Sequence, residues 1–106
     1  MEATIYQIIR ALDNDFRLLI LDKLNGTAMT EKELFEKLRV ERPDLKYRES
    51  LYRQIETLVA VGLVKKFYDV NKRRISYTSD TSKIHIDLRA MAANIIDDGG
   101  HKVVSQ

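Results

Sequence analysis

The sequence predicts a mainly α-helical α+β fold in which four helices precede a β-hairpin and one more helix follows it. Apolar residues recur at helical spacing through the first two-thirds of the chain, and two β-branched and aromatic runs then flank a basic turn. The chain has 106 residues with one proline and four glycines, and no linker-like stretch divides it. We therefore expect one domain with a single core.

The first two helices follow from their apolar stripes and their polar boundaries. In residues 3–12 the stripe runs through Ile5, Ile8, Ile9 and Leu12. The polar residues 13–15 can cap a second helix, whose inward face carries Phe16, Leu19, Ile20 and Leu24. Asn25 and Gly26 are suited to the left-handed turn that ends a helix.

The third and fourth helices have equally clear signals. Thr30 and Glu33 form a capping-box pattern that opens a short helix carrying Leu34, Phe35 and Leu38. Residues 40–46, which contain the only proline, read as a connection. A helix over about residues 47–61 then buries Leu51, Ile55, Leu58 and Val59, and Gly62 stops it.

A β-hairpin and a final helix complete the predicted order. Residues 63–68 and 74–78 read as strands joined by a basic tip, and together they form a wing over about residues 63–79. A narrow stripe then predicts a helix over about residues 84–97, and residues 99–106 are expected to be a flexible tail. The middle of this order, three helices closed by a two-stranded wing, is that of a winged helix-turn-helix. Because such a fold closes its own core, we expect the first and last helices to pair with a second copy. The alternative is that the last stripe packs back on its own domain. The residues predicted for that dimer interface are Ile5, Ile8, Ile9, Ile84, Leu88, Met91 and Ile95.

The charge distribution favours a polyanionic partner, although the net charge is only +2. Residues 46–77 hold eight basic and three acidic side chains, so the rest of the chain is acidic on balance. With no cysteine, the chain has neither disulfides nor a thiolate metal site, and no catalytic constellation is visible. We therefore expect no enzyme activity, no cofactor and no bound metal. The sequence has no long apolar run and no signal-peptide pattern, which predicts a cytoplasmic protein without a membrane contact.

Three segments resemble the ArsR-like winged-helix regulators, over about residues 11–79. Residues 11–21 resemble the opening signature of that family, with its Arg-Leu-x-Ile-Leu pattern intact. Residues 33–38 resemble the helix that supports the recognition helix, and residues 51–64 resemble the recognition helix running through Gly-Leu-Val into the wing. The resemblance implies a homodimeric transcriptional regulator, most often a repressor, that inserts its recognition helices into successive major grooves of double-stranded DNA.

Candidate DNA contacts follow from the recognition helix and the wing. The resemblance places Ser50, Tyr52, Arg53 and Gln54 where the family contacts bases and phosphates, and Lys72 and Arg73 at the wing tip. The turn before the recognition helix is longer than the family's, so Lys46, Tyr47 and Arg48 join the predicted contacts. Arg53 can bind guanine or a phosphate through two donors.

Two departures from the family concern sensing, and a second function is compatible with the same fold. The thiolate metal site is absent, and near His85 the expected partners are replaced by Lys83 and Ile96. A metal sensor is therefore not expected, and any effector would be unidentified.

Winged helices also serve as protein-interaction modules in larger assemblies, and Glu49 and Glu56 on the fourth helix would suit a basic protein partner.

Overall fold

A computed structural model describes residues 3–97 and 102–105, with side chains described for residues 3–96. Within them the chain forms an α+β fold of four helices and two small antiparallel sheets. The elements in chain order are α1 (Ile5–Leu12), α2 (Asp15–Leu24), β1 (Ala28–Thr30), α3 (Glu31–Glu41), α4 (Arg48–Ala60), β2 (Lys65–Asp69), β3 (Arg74–Thr78), β4 (Thr81–Asp87), β5 (Ala92–Asp97) and β6 (Lys102–Ser105).

The first two helices begin at side-chain caps, and the sequence predicts the cap of the second. Thr4 and Gln7 form a capping box at the start of α1, and the Asn14 side chain accepts a hydrogen bond from the Arg17 amide at the start of α2. Gly26 follows α2 with a φ of +75°, a backbone conformation that glycine adopts without strain. These caps satisfy amides that have no partner inside the helix.

The first sheet joins the middle of the chain to the hairpin. Its strand order is β1-β3-β2, and β3 pairs antiparallel with both neighbours, Met29 and Lys66 each lying opposite Tyr77. The chain passes from β1 directly into α3, whose capping box is present: the Thr30 amide donates to Glu33 Oε1 at 2.9 Å, and the Glu33 amide donates to Thr30 Oγ1 at 3.2 Å.

One hydrophobic core lies between the helices and both sheets. Its fully buried members include residues that the helical stripes predict, with two or three supplied by each of α2, α3 and α4. They are Ile20, Leu24, Leu34, Leu38, Leu51, Ile55 and Leu58. Because α4 buries one narrow stripe, its opposite side is left exposed.

The predicted helix over residues 84–97 is wrong, because this segment forms two strands of the second sheet, whose order is β4-β5-β6. Ile84 lies opposite Ile95 across the β4–β5 ladder. Leu88 and Met91 lie in the connecting turn, 72% and 42% exposed. Asp87 Oδ1 starts that turn by accepting hydrogen bonds from the amides of residues 89 and 90. The spacing that suggested a helical stripe thus arises from two strands folded back on each other.

The predicted dimer interface also changes, because the second sheet covers α1 within the same chain. Strand β5 contacts α1, and Ile5, Ile8 and Ile95 are at most 3% exposed in the common core. They are therefore not available to a second copy. Ile9 alone keeps a substantial exposed fraction among the apolar residues predicted on α1, at 45%.

The flexible tail predicted for residues 99–106 is wrong where the structure describes it. Residues 102–105 form β6, which pairs antiparallel with β5 and aligns Val104 with Asn94. Residues 99–101 and 106, including the glycine pair expected to end a helix, lie outside the described residues. The unit therefore extends beyond the predicted boundary at residue 98, because β6 pairs with β5 in the second sheet.

Candidate nucleic-acid interface

The outer side of α4 presents most of the predicted contacts. Leu51, Ile55 and Leu58 point into the core, so Tyr52 and Arg53 lie on the exposed side. The Arg53 guanidinium has no hydrogen-bond or ion-pair partner among the described residues. A side chain of this kind reaches a ligand without first breaking an internal contact.

The residues at the start of α4 are held differently. Tyr47 precedes the helix at its N-cap position, makes no capping hydrogen bond with its side chain and is 68% exposed. Arg48 Nε lies 3.3 Å from Glu31 Oε1, in an ion pair that joins the first turns of α4 and α3. Arg48 is therefore partly neutralised, although half of its side chain remains exposed.

Gln54 is engaged inside the fold rather than free on the surface. Its Oε1 accepts a hydrogen bond of 2.7 Å from Arg17 Nη1, and the side chain is only partly exposed. The remaining Arg17 donors reach the carbonyls of Arg10 and Ala11. Gln54 thus belongs to a contact that joins α1, α2 and α4, and its amide NH₂ group is left for a ligand.

The predicted contacts on α4 divide between two depressions. Lys46, Tyr47, Ser50 and Gln54 line one of them together with Phe16 from α2. Arg48, Tyr52 and Arg53 line the other, together with Glu31 and Glu49. The structure therefore places these residues in two separate depressions and not in a single pocket.

The stem of the hairpin is tied to α4. Lys66 Nζ lies 3.2 Å from Glu56 Oε2 and 5.8 Å from the centre of the Tyr52 ring. The Glu56 carboxylate, through this hydrogen bond, raises the pKa of Lys66 above its usual range. Glu56 is thus the partner of a lysine on β2 and does not stand as an isolated negative charge on α4.

The hairpin tip, residues 70–73, has a defined backbone. Asp69 Oδ1 accepts hydrogen bonds from the amides of Asn71 at 2.9 Å and Lys72 at 3.1 Å. Arg73 has a φ of +54°, which turns the chain into β3. The guanidinium groups of Arg73 and Arg74 have no ion-pair partner among the described residues.

Lys72 reaches back from the tip to α3. Its Nζ lies 2.8 Å from Glu33 Oε1, the same oxygen that accepts the Thr30 amide in the capping box. The Lys72 ammonium, and next the Thr30 amide, lower the pKa of Glu33 to about 2. A DNA phosphate would therefore have to compete with the Glu33 carboxylate for Lys72, which the sequence predicts as a phosphate contact.

A groove of about 370 Å³ separates the hairpin from the first turns of α3 and α4, and we call it the hairpin groove. Its charged lining has four cations and one carboxylate: Lys32, Arg48, Arg73, Arg74 and Glu31. Tyr68, Ile75 and Tyr77 form its apolar wall, with Thr30 between them and α3. A groove with this lining is suited to a polyanion that also offers sugar or base surface.

Arg74, Lys32 and Tyr68 are among the residues of the hairpin groove that sequence reasoning missed. Arg74 adjoins the predicted Lys72 and Arg73, so the basic run of the tip could have included it. Lys32 lies in the first turn of α3 and gave no signal, since only the pairing of β1 with β3 brings it near the hairpin. Tyr68 read simply as a strand residue.

Residues 3–96 contain no group of three His, Asp or Glu side chains able to hold a metal ion. No helix described in the structure is long and apolar enough to cross a membrane.

Comparison of the chain with protein-family models, with curated proteins and with solved structures finds no match.

Proposed function

We propose that this protein binds double-stranded DNA as a winged helix-turn-helix regulator of transcription, with α4 as its recognition helix. The observation that carries the proposal is the arrangement of α2, β1, α3, α4, β2 and β3. In this order three helices are closed by a β1-β3-β2 sheet, and the β2–β3 hairpin projects beside the first turns of α3 and α4. Exposed basic residues lie on both α4 and the hairpin.

The charges on α4 and on the hairpin support the same proposal. Arg53 on α4 and Arg73 on the hairpin have guanidinium groups without a partner among the described residues. In this proposal Arg53 reads a base edge or holds a phosphate in the major groove, and Arg73 binds the flanking backbone. Glu49 has no ion-pair partner either among these residues, and it would accept from a cytosine amino group if it reaches the base edges.

Dimerisation and repression stay predictions from the family resemblance. A second copy would allow two-fold DNA sites about one helical turn apart to be recognised. Since Ile5, Ile8 and Ile95 are buried within one chain, such a contact would have to use other surfaces, such as the outer side of α1 with Tyr6 and Ile9. Sedimentation equilibrium of the purified protein decides whether a dimer forms.

The first test is binding of a labelled duplex of ~30 base pairs, measured by fluorescence anisotropy at ~50 and ~200 mM salt, a range over which phosphate-driven binding falls steeply. We expect binding at low salt that weakens as salt rises. On a site then selected from random duplexes, Arg53→Ala should cost about 1–3 kcal/mol of binding free energy. Arg89→Ala is the matched control, because Arg89 is exposed in the β4–β5 turn.

Two outcomes would contradict the proposal in different ways. Unchanged affinity of Arg53→Ala on the selected site removes Arg53 from the contact surface. A folded protein that binds no duplex at either salt concentration refutes DNA binding. That result would favour the alternative, a protein-interaction module that presents Glu49 to a basic partner, and pull-down with basic and neutral peptides would then test it.

A further inference from the structure

Lys72 is the hairpin-tip residue whose role the structure redefines. The tip and the first residue of β3 carry three consecutive cations, Lys72, Arg73 and Arg74, all exposed. Only Lys72 has an ion-pair partner among the described residues, the Glu33 carboxylate at 2.8 Å. The three cations are therefore not equivalent, although they are adjacent in the sequence.

Glu33 is also held in place by a contact that does not involve Lys72. It occupies the third position of α3, where its carboxylate accepts the Thr30 amide at 2.9 Å. The Lys72 amide is also held, by Asp69 Oδ1 at 3.1 Å. Lys72 is thus held at two points, at its backbone amide by the Asp69 carboxylate and at Nζ by Glu33 in the first turn of α3.

We propose that Lys72 is a positioning residue, whose ion pair with Glu33 fixes the hairpin tip against α3 and leaves Arg73 and Arg74 as the phosphate contacts of the hairpin. This inference rests on the proposed DNA binding. The Lys72–Glu33 pair has no net charge, so it releases no counterions of its own when a duplex binds. Its contribution is to hold the tip in one conformation, which reduces the ordering required on binding.

The salt dependence of duplex binding tests the charge assignment. The affinity is measured against salt for the wild type, Lys72→Met, the double variant Lys72→Met/Glu33→Gln and Arg73→Met. Arg73→Met should reduce the slope of log K against log salt by about 0.9, the value for one phosphate contact. Lys72→Met alone should also weaken binding and reduce the slope, because it leaves Glu33 as an uncompensated negative charge beside the DNA.

The double variant separates a positioning role from direct contact. If Lys72 only neutralises and positions, removing both charges returns the slope to the wild-type value. If Lys72 binds a phosphate directly, the double variant keeps the reduced slope of Lys72→Met, and the proposal is overturned. Glutamine at position 33 still completes a capping box, so α3 keeps its first turn. Lys83→Met on β4 controls for the loss of a lysine outside the proposed interface.

Order at the tip is measured without DNA, so it is tested separately from the proposed function. Heteronuclear ¹⁵N relaxation of residues 70–73 should show a more mobile tip in both Lys72→Met and Glu33→Gln, and an unchanged tip in Lys83→Met. Equal order in all variants overturns the positioning role even if the duplex binds. Absence of duplex binding by the wild type refutes the DNA proposal and the phosphate contacts, whereas the relaxation data still decide whether the pair positions the tip.

Discussion

Replacing Arg17 by methionine is expected to lower the free energy of unfolding by about 2–3 kcal/mol. The guanidinium donates three hydrogen bonds: Nε to the Ala11 carbonyl at 2.6 Å, Nη2 to the Arg10 carbonyl at 3.1 Å and Nη1 to Gln54 Oε1 at 2.7 Å. A net hydrogen bond contributes roughly 1 kcal/mol, and more when the donor is charged. The two carbonyls belong to the last turn of α1, where a cation is favourable, and the Arg10 carbonyl also accepts from the Asp13 amide at 3.3 Å.

The expected loss of unfolding free energy stays near the lower end of the sum for three hydrogen bonds. The reason is that Arg17 is only partly buried, so water replaces some of the lost contacts. Urea denaturation should give a lower midpoint at an unchanged m value. The melting temperature should fall by roughly 10–20 °C for a domain of this size. Arg17→Lys keeps the charge but not the geometry of the three donors, and should recover only part of the loss.

Arg89→Met is the matched control, since the Arg89 guanidinium lies in an exposed turn without a partner among the described residues. We expect it to stay within ~0.5 kcal/mol of the wild type. A similarly small effect of Arg17→Met would mean that its three contacts exchange for water at no net cost. The reasoning that Arg17 joins α1, α2 and α4 would then be refuted.

Three further predictions concern acid stability, one glycine and the second sheet. Since the pKa of Glu33 is lowered from its ordinary 4.5 to about 2 in the folded protein, its stabilising contribution is complete above about pH 4.5 and is lost as the pH falls towards 2. The difference in unfolding free energy between wild type and Glu33→Gln should therefore shrink from pH 6 to pH 3 in urea titrations, and a constant difference would contradict the assignment. Gly62→Ala should lower the free energy of unfolding, measured by urea denaturation, by about 1–2 kcal/mol, because the backbone φ is +85°. The nearest atom to the added methyl group, Ile95 Cδ1 at 3.9 Å, makes only an ordinary van der Waals contact. An unchanged midpoint would argue against this left-handed turn. In thermal unfolding, Ile95→Ala should lower the free energy of unfolding by about 2–4 kcal/mol and Leu88→Ala by less than ~0.5 kcal/mol. Equal losses would favour the helical stripe instead.

The helices and the hairpin could be predicted from the sequence because their signals are local. A cap, an apolar stripe and a glycine stop each involve residues within a few positions of one another, and these interactions operate before any distant contact forms. Thr30 with Glu33, and Gly26 and Gly62 after their helices, lie where the sequence placed them. The exposed side of α4 followed in the same way, because burying one stripe leaves the opposite side outside.

The second sheet could not be predicted, because its apolar spacing fits two structures. Ile84 and Ile95 are eleven positions apart, which suits either three turns of one helix or two facing positions of a hairpin. Only the pairing of β4 with β5, and the packing of β5 on α1, distinguishes them. That packing also buries Ile5 and Ile8 within the chain, so the surface expected for a second copy does not exist in that form.

The charge pattern of the candidate interface divides in the same way. The sequence located basic residues on α4 and at the hairpin tip, where composition and periodicity were sufficient. It did not indicate that Lys72 pairs with Glu33, 39 positions away, or that Gln54 pairs with Arg17, 37 positions away. Which cation is paired and which is free depends on contacts between distant segments, and these exist only once the core has set the distances between helices and hairpin.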